Sequence, residues 1–259
     1  PFANDIFSAP GSANAPSHLV AAYSFAFQIY FDFSGYTDMA RGLSCLLGFE
    51  LPMNFEEPYL SRSPSEFWRR WHMTLSRWLR DYLYVPLGGN RRGPARTTLN
   101  LMLTMLLGGL WHGAGLNFVV WGGLHGVLLV VARFRRRPGD ADRALTWSDA
   151  PRIFALFNVV CLIWVPFRCE TWADAVAFAR GLVSSGYSHG WPLLPTAIVG
   201  LCFVLHVVER RLRERLPVFH AKLATAAWGP LLEGGLFGAV VMLSVLSSGA
   251  GAEFIYYQF

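Results

Sequence analysis

Five apolar runs, at residues 18–33, 116–132, 153–167, 192–208 and 231–247, recur along the chain, and clusters of arginine stand beside them. A hydrocarbon core of ~30 Å asks for ~20 helical residues, with ~17 as the lower limit, and each run comes close to that length once its flanks are counted. Only 15% of the residues are charged, against ~25% in soluble globular domains, so a water-facing surface would be hard to cover. The fold class expected is all-α: a polytopic transmembrane helical bundle in a lipid bilayer.

The formal charge of +5 could suit nucleic acid, but its placement argues against such a partner. Of the 22 basic residues only Lys222 is a lysine, and the arginines gather in short segments such as Arg91-Arg92, Arg133-Phe134-Arg135-Arg136-Arg137 and Arg210-Arg211-Leu212-Arg213. That is the asymmetry by which membrane proteins keep positive loops on the cytoplasmic side. The four cysteines, Cys45, Cys161, Cys169 and Cys202, show no CxxC spacing and read as small buried hydrophobes.

Residues 1–16 read as a loop, 17–48 as a first helix and 49–62 as a connector punctuated by proline. On that helix Gln28, Asp32 and Tyr36 are four apart and share a face that can look into a bundle. Over 64–85 a helical wheel puts Arg69, Arg70, Arg77, Arg80, Glu66 and Asp81 on one side. Phe67, Trp68, Trp71, Leu75, Trp78, Leu79 and Tyr82 fall on the other, Met73 is the exception, and His72 sits on the border. This predicts an amphipathic helix lying in the membrane interface. The apolar stretch 97–110 has 14 residues, ~21 Å of helix, too short to cross, so a break at 108–113 should fall inside the membrane thickness, shielded by protein. The arginine clusters orient the chain: 64–85 cytoplasmic, 97–132 an excursion, 153–167 outward, 168–191 an external connector, 192–208 back and 231–247 outward again.

Seven histidines are present. His18, His189 and His220 fall in predicted loops, and His206, ending a run before an arginine cluster, reads as a snorkelling side chain. His125, in Trp121-Gly122-Gly123-Leu124-His125-Gly126, reads as one satisfied imidazole in a closely packed helix. His112 differs. It stands at a glycine-rich break at membrane depth, where polar side chains are costly unless they are functional or well paired. Asn100, Thr104 and Gly108 lead to it at intervals of four. An imidazole there could take a proton from an alcohol and return it, or simply bond a carbonyl at the helix end. No metal-hydrolase or serine-hydrolase pattern appears, and no metal is expected.

Several blocks together carry a resemblance: Phe31-Asp32-Phe33-Ser34-Gly35-Tyr36-Thr37-Asp38, Pro52-Met53-Asn54-Phe55, Phe67-Trp68-Arg69-Arg70-Trp71-His72-Met73-Thr74, Arg80-Asp81-Tyr82-Leu83-Tyr84-Val85-Pro86-Leu87-Gly88-Gly89, Gly108-Gly109-Leu110-Trp111-His112-Gly113 and Trp121–Gly126. They resemble the bacterial branch of the membrane-bound O-acyltransferase family. The resemblance implies a helical ring with a thin centre, a cytoplasmic acyl-thioester donor such as acetyl-CoA with no bound cofactor, and a cell-surface polysaccharide acceptor such as alginate. An external polysaccharide O-acetyltransferase would act as partner protein, in the bacterial inner membrane. D-alanyl and peptidoglycan O-acyl transfer are relatives of the same reaction. It implies His112 as the catalytic imidazole and His72 as a second histidine near the thioester. Arg69, Arg70, Arg77 and Arg80 would face donor phosphates, and Asn100 or Asp32 would pair with an imidazole. The family's N-terminal spans have no counterpart here, so residues 1–259 are expected to be the C-terminal part of one such domain. A transporter with His112 and Asp32 as pathway residues, or a membrane scaffold for polysaccharide export, would share the apolar pattern but not the motif blocks.

Overall fold

The computed structural model describes residues 2–11, 13–135, 145–184 and 190–224, and these are all helix, turn and coil, with no strand among them. The long helices are α2 (Ala15–Leu46), α5 (Gly93–His112), α6 (Leu116–Phe134), α7 (Ala150–Arg168) and α9 (Leu193–Ala224). Short helices α1 (Phe2–Ser8), α3 (Pro64–Arg70), α4 (Met73–Leu79) and α8 (Trp172–Ser184) lie between or before them. Three stretches, Leu116–Phe134, Trp147–Arg168 and Leu193–Arg213, are long and apolar enough to cross a membrane. The run expected at 231–247 lies outside the described residues.

Residues 1–16 are not simply a loop. Residues 2–8 form α1, whose Phe7 stacks on Phe178 at 4.5 Å and leans on Phe25. At the start of α2 the Asn14 side chain accepts the Ser17 amide at 2.9 Å, an N-cap that meets one of the orphan donors of a first turn. Along α2 the residues at helical spacing, Ala22, Phe25, Ala26, Ile29, Tyr30 and Phe33, are buried, while Met39, Leu43 and Leu46 beyond them are exposed. His18 is in this helix rather than in a loop, and it is fully buried, with its ring nitrogens on the Asn14 and Pro10 carbonyls.

Two interhelical bonds fix which ends of the bundle go together. Arg133 at the end of α6 donates to the Pro94 carbonyl at the start of α5 (3.0 Å), so Arg91, Arg92, Arg96 and Arg133 share one end. Asn117 at the start of α6 donates to the Cys169 carbonyl just past α7 (2.7 Å), so His112, Asn117 and Phe167 share the other. The two ends of the predicted 97–132 excursion, at Pro94 and Arg133, therefore lie side by side.

α5 and α6 meet along glycine. A Cβ on Gly109 would stand 2.2 Å from the Phe118 carbonyl oxygen, one on Gly122 2.2 Å from that of Met105, and one on Gly126 2.8 Å from the Met102 sulfur. Small residues let two helix backbones touch, the means by which membrane helices gain packing without a hydrophobic drive. α5 is also longer than its apolar run: 20 residues rather than 14, ~30 Å at 1.5 Å each. The helix passes through Gly108 and Gly109 and ends at His112, with Gly113 as its cap.

The stretch 64–85 is helical in three pieces instead of one: α3, α4 and a π-turn at Arg80–Tyr84. The break falls at Trp71-His72, where His72 takes a left-handed backbone (φ 40, ψ 58), a conformation that costs a non-glycine residue ~1–3 kcal/mol. The aromatic stripe accordingly splits. Phe67, Trp68 and Trp71 are buried against α6 and α7, whereas Trp78 and Tyr82 stay exposed.

Candidate active site

His112 owes its position to the helix end that carries it. Gly113 leaves the helix in an extended conformation, and a Cβ there would lie 2.5 Å from the Phe118 ring, so the turn after His112 closes only over glycine. The imidazole is half-buried among aromatic rings: Trp121 and Phe167 each at 5.1 Å edge to face, and Phe118 at 6.4 Å. Trp164 joins Trp121 (5.7 Å) and Phe167 (5.2 Å) into one wall, and Trp71 of the broken stretch reaches that wall at 4.9 Å from Trp164.

His72 follows Trp71. Its ring meets Phe33 of α2 edge to face at 4.8 Å, and Nδ1 lies 3.4 Å from the Thr74 hydroxyl. That hydroxyl donates to the Asn54 side-chain oxygen Oδ1 at 2.7 Å, so toward His72 it can only accept. The proton therefore belongs on Nδ1, leaving Nε2 with a lone pair. Burial pushes the His72 pKa down to about 4, with the nearby His112 charge as second cause. His72 is neutral at pH 7.

The arginine face divides. Arg70 is turned inward, bonded to the Glu66 carboxylate (3.0 Å), which Arg62 also holds at 3.1 Å, and to the Glu56 carbonyl. Arg80 pairs with Asp81 at 2.7 Å. Arg69 and Arg77 are exposed and, among the described residues, make no ion pair at bonding distance. Two of four expected phosphate ligands are thus engaged elsewhere.

Asn100 pairs with no imidazole among its hydrogen bonds. It is fully buried, and its amide donates to the carbonyls of Leu87 (3.2 Å) and Gly89 (2.9 Å). It ties the glycine turn, where Gly88 and Gly89 have positive φ, to α5. Asn100→Leu should lower the stability of the folded protein by ~1–3 kcal/mol, the cost of leaving buried carbonyls unmet, read as a lower melting midpoint in detergent. An unchanged midpoint would show that the turn is held by other means. Asp32 is half-buried on α2, next to the Phe33 that touches His72.

His125 is buried among Phe67, Trp68 and Trp121, and both ring nitrogens are without a hydrogen-bond partner among the described residues, so the satisfied imidazole expected there is not found. His206 does not snorkel: it is fully buried beside Tyr30 and accepts the Tyr59 amide at 3.3 Å. Sequence reasoning missed Asn54, Thr74 and the wall residues Trp164 and Phe167. Asn54 and Thr74 stand in the quoted motif blocks, whereas Trp164 and Phe167 carry no such mark. Among the described residues no group of three or more His, Cys, Asp or Glu could hold a metal ion.

The profile of MBOAT, the membrane-bound O-acyltransferase family, matches residues 18–166. The chain is 48% identical over 157 residues to the probable alginate O-acetylase AlgI of Pseudomonas fluorescens, covering 58% of this chain and 30% of that protein. To the peptidoglycan O-acetyltransferase of Helicobacter pylori it is 45% identical over 167 residues, 63% of this chain and 31% of that protein. To the teichoic acid D-alanyltransferase of Streptococcus thermophilus the identity is 34% over 186 residues, 64% and 45% of the two chains. The chain spans about a third of the length of the first two relatives.

Proposed function

Because the chain belongs to the membrane-bound O-acyltransferase family, we propose that it carries the acyl-transfer centre of a multi-pass O-acyltransferase of the bacterial inner membrane. An acyl thioester such as acetyl-CoA enters from the arginine-rich end. The acetyl group leaves at the His112 end, through an external polysaccharide O-acetyltransferase, for hydroxyls of a cell-surface polysaccharide such as alginate. The observation that supports this reading is the family match over residues 18–166, together with His112 packed on an aromatic wall that Trp71, the neighbour of His72, also reaches.

The chemistry follows from the residues. His112 takes the proton of the attacking hydroxyl as its oxygen bonds to the thioester carbonyl, and gives it to the departing thiolate when the carbon–sulfur bond breaks. Nε2 of neutral His72 accepts a hydrogen bond and orients the donor arm. Arg69 and Arg77 are the exposed cations suited to the donor's phosphates. Peptidoglycan is a second acceptor reading, supported by an identity of 45% against 48% for the alginate relative.

Purified full-length protein with its external partner should consume acetyl-CoA and acetylate the polysaccharide. Failure to consume any acyl thioester would favour the transporter or scaffold readings. The orientation has its own test. Arg77→Cys in intact cells should escape a membrane-impermeant thiol reagent, with Cys45, the native exposed thiol, replaced by Ala beforehand. Labelling from outside would reverse the topology.

A further inference from the structure

Far from His112 along the chain, one arginine of α9 holds two carboxylates. Arg213 donates from Nε to Glu57 Oε1 at 2.7 Å and from Nη2 to Glu209 Oε1 at 3.0 Å, with Nη1 3.1 Å from the Met53 sulfur. Glu57 is 2% exposed. The Tyr30 hydroxyl donates to the other oxygen of Glu209 (2.9 Å), which His206 approaches at 3.5 Å.

Glu57 ends the short segment that supports His72. Like His72 it has a left-handed backbone (φ 39, ψ 63). The stretch just before Glu57 is pinned to the stretch around His72 by three backbone-amide bonds. Glu56 donates to the Arg70 carbonyl (3.0 Å), Met73 to the Asn54 carbonyl (3.0 Å) and Thr74 to the Asn54 side chain (3.2 Å). One end of the clamp is the histidine; the other is the carboxylate in Arg213's grip.

We propose that Arg213 is a positioning residue: by neutralising buried Glu57 it holds residues 53–57 in the path that fixes His72. Removing one partner of a buried pair leaves an uncompensated charge. Among the described groups bonded around this pair none replaces it: Glu209 and Tyr30 supply no cation, His206 is enclosed by Tyr30, Tyr59 and Glu209, and Arg62 and Arg70 are committed to Glu66. Glu57 then relieves its charge by turning toward water, and residues 53–56 move with it. The consequence for catalysis rests on the acyl-transfer reading; the structural pin does not.

The test is carbethoxylation of individual histidines by diethylpyrocarbonate at pH 7, read by mass spectrometry on the full-length protein in membranes. Arg213→Met should raise labelling of His72 severalfold, while the buried His18 and His125 stay as in wild type. Adding Glu57→Gln should return His72 to the wild-type rate, because no charge is then left buried. If Arg213→Met does not accumulate, Arg213→Lys takes its place, since an ammonium lacks the fork that spans both carboxylates. Unchanged His72 labelling, or a rise at His18, His72 and His125 together, would overturn the proposal. Acyl transfer should fall and recover in step with the labelling. A wild-type protein that consumed no thioester while His72 labelling shifted would leave the pin standing and sink the acyl-transfer reading instead.

Discussion

His112→Ala is expected to abolish polysaccharide O-acylation while leaving abundance and membrane insertion unchanged. General acid–base catalysis contributes ~10²–10⁴ in rate, and the ring is walled by Trp121, Phe167 and Phe118, so water has poor access to take its place. The side chain is half-buried at a helix end, and without it Trp121, Trp164 and Phe167 still pack on one another, which is why the fold should survive. His72→Ala should act more weakly, because an orienting group can be lost without losing the proton acceptor. The measurement is acyl-thioester consumption by the purified full-length protein with its external partner. Equal consumption by wild type and His112→Ala would remove His112 from the mechanism.

The second large effect is expected at the glycine seam. Gly122→Ala puts a methyl 2.2 Å from the Met105 carbonyl oxygen, and backbone, unlike a side chain, cannot rotate away. α5 and α6 must part, and His112, Asn100 and Trp121 part with them. Overpacking costs ~1–3 kcal/mol even where side chains can adjust, and whole domains are stable by only ~5–15 kcal/mol. Gly122→Ala and Gly109→Ala should therefore fail to accumulate or should melt far below wild type. Gly123→Ala is the control: its nearest neighbour is a Leu106 methyl at 3.5 Å, ordinary contact. Melting midpoints that coincide for Gly122→Ala and Gly123→Ala would mean the seam is looser than described.

What could be read in the sequence was periodic and local. The apolar runs gave the spans their places, and a glycine-rich break marked where His112 would sit. An apolar count understates α5 because its first turn opens on Gly93-Pro94 and closes on Arg96, and its last turn runs on through Trp111 to His112. The left-handed turn at His72 had no local sign either, since Trp-His lacks the glycine that usually announces positive φ. Glu209 and Arg213 looked like part of a cytoplasmic charge cluster. Their partners, Tyr30 and Glu57, are 179 and 156 residues away, and no spacing rule reaches across that interval. His18 and His206 were misplaced for the same reason: whether a histidine is wet or enclosed depends on helices that the sequence does not bring beside it.

Backbone pressed on backbone leaves α5 and α6 no freedom to slide, so the hairpin moves as one body and carries His112 with it. The stretch bearing His72 is built the opposite way, jointed at Trp71-His72 and again at Leu79, where α4 gives way to a π-turn. The two histidines therefore ride on unlike supports, His112 on a close-packed helix pair and His72 on a chain broken into short helices.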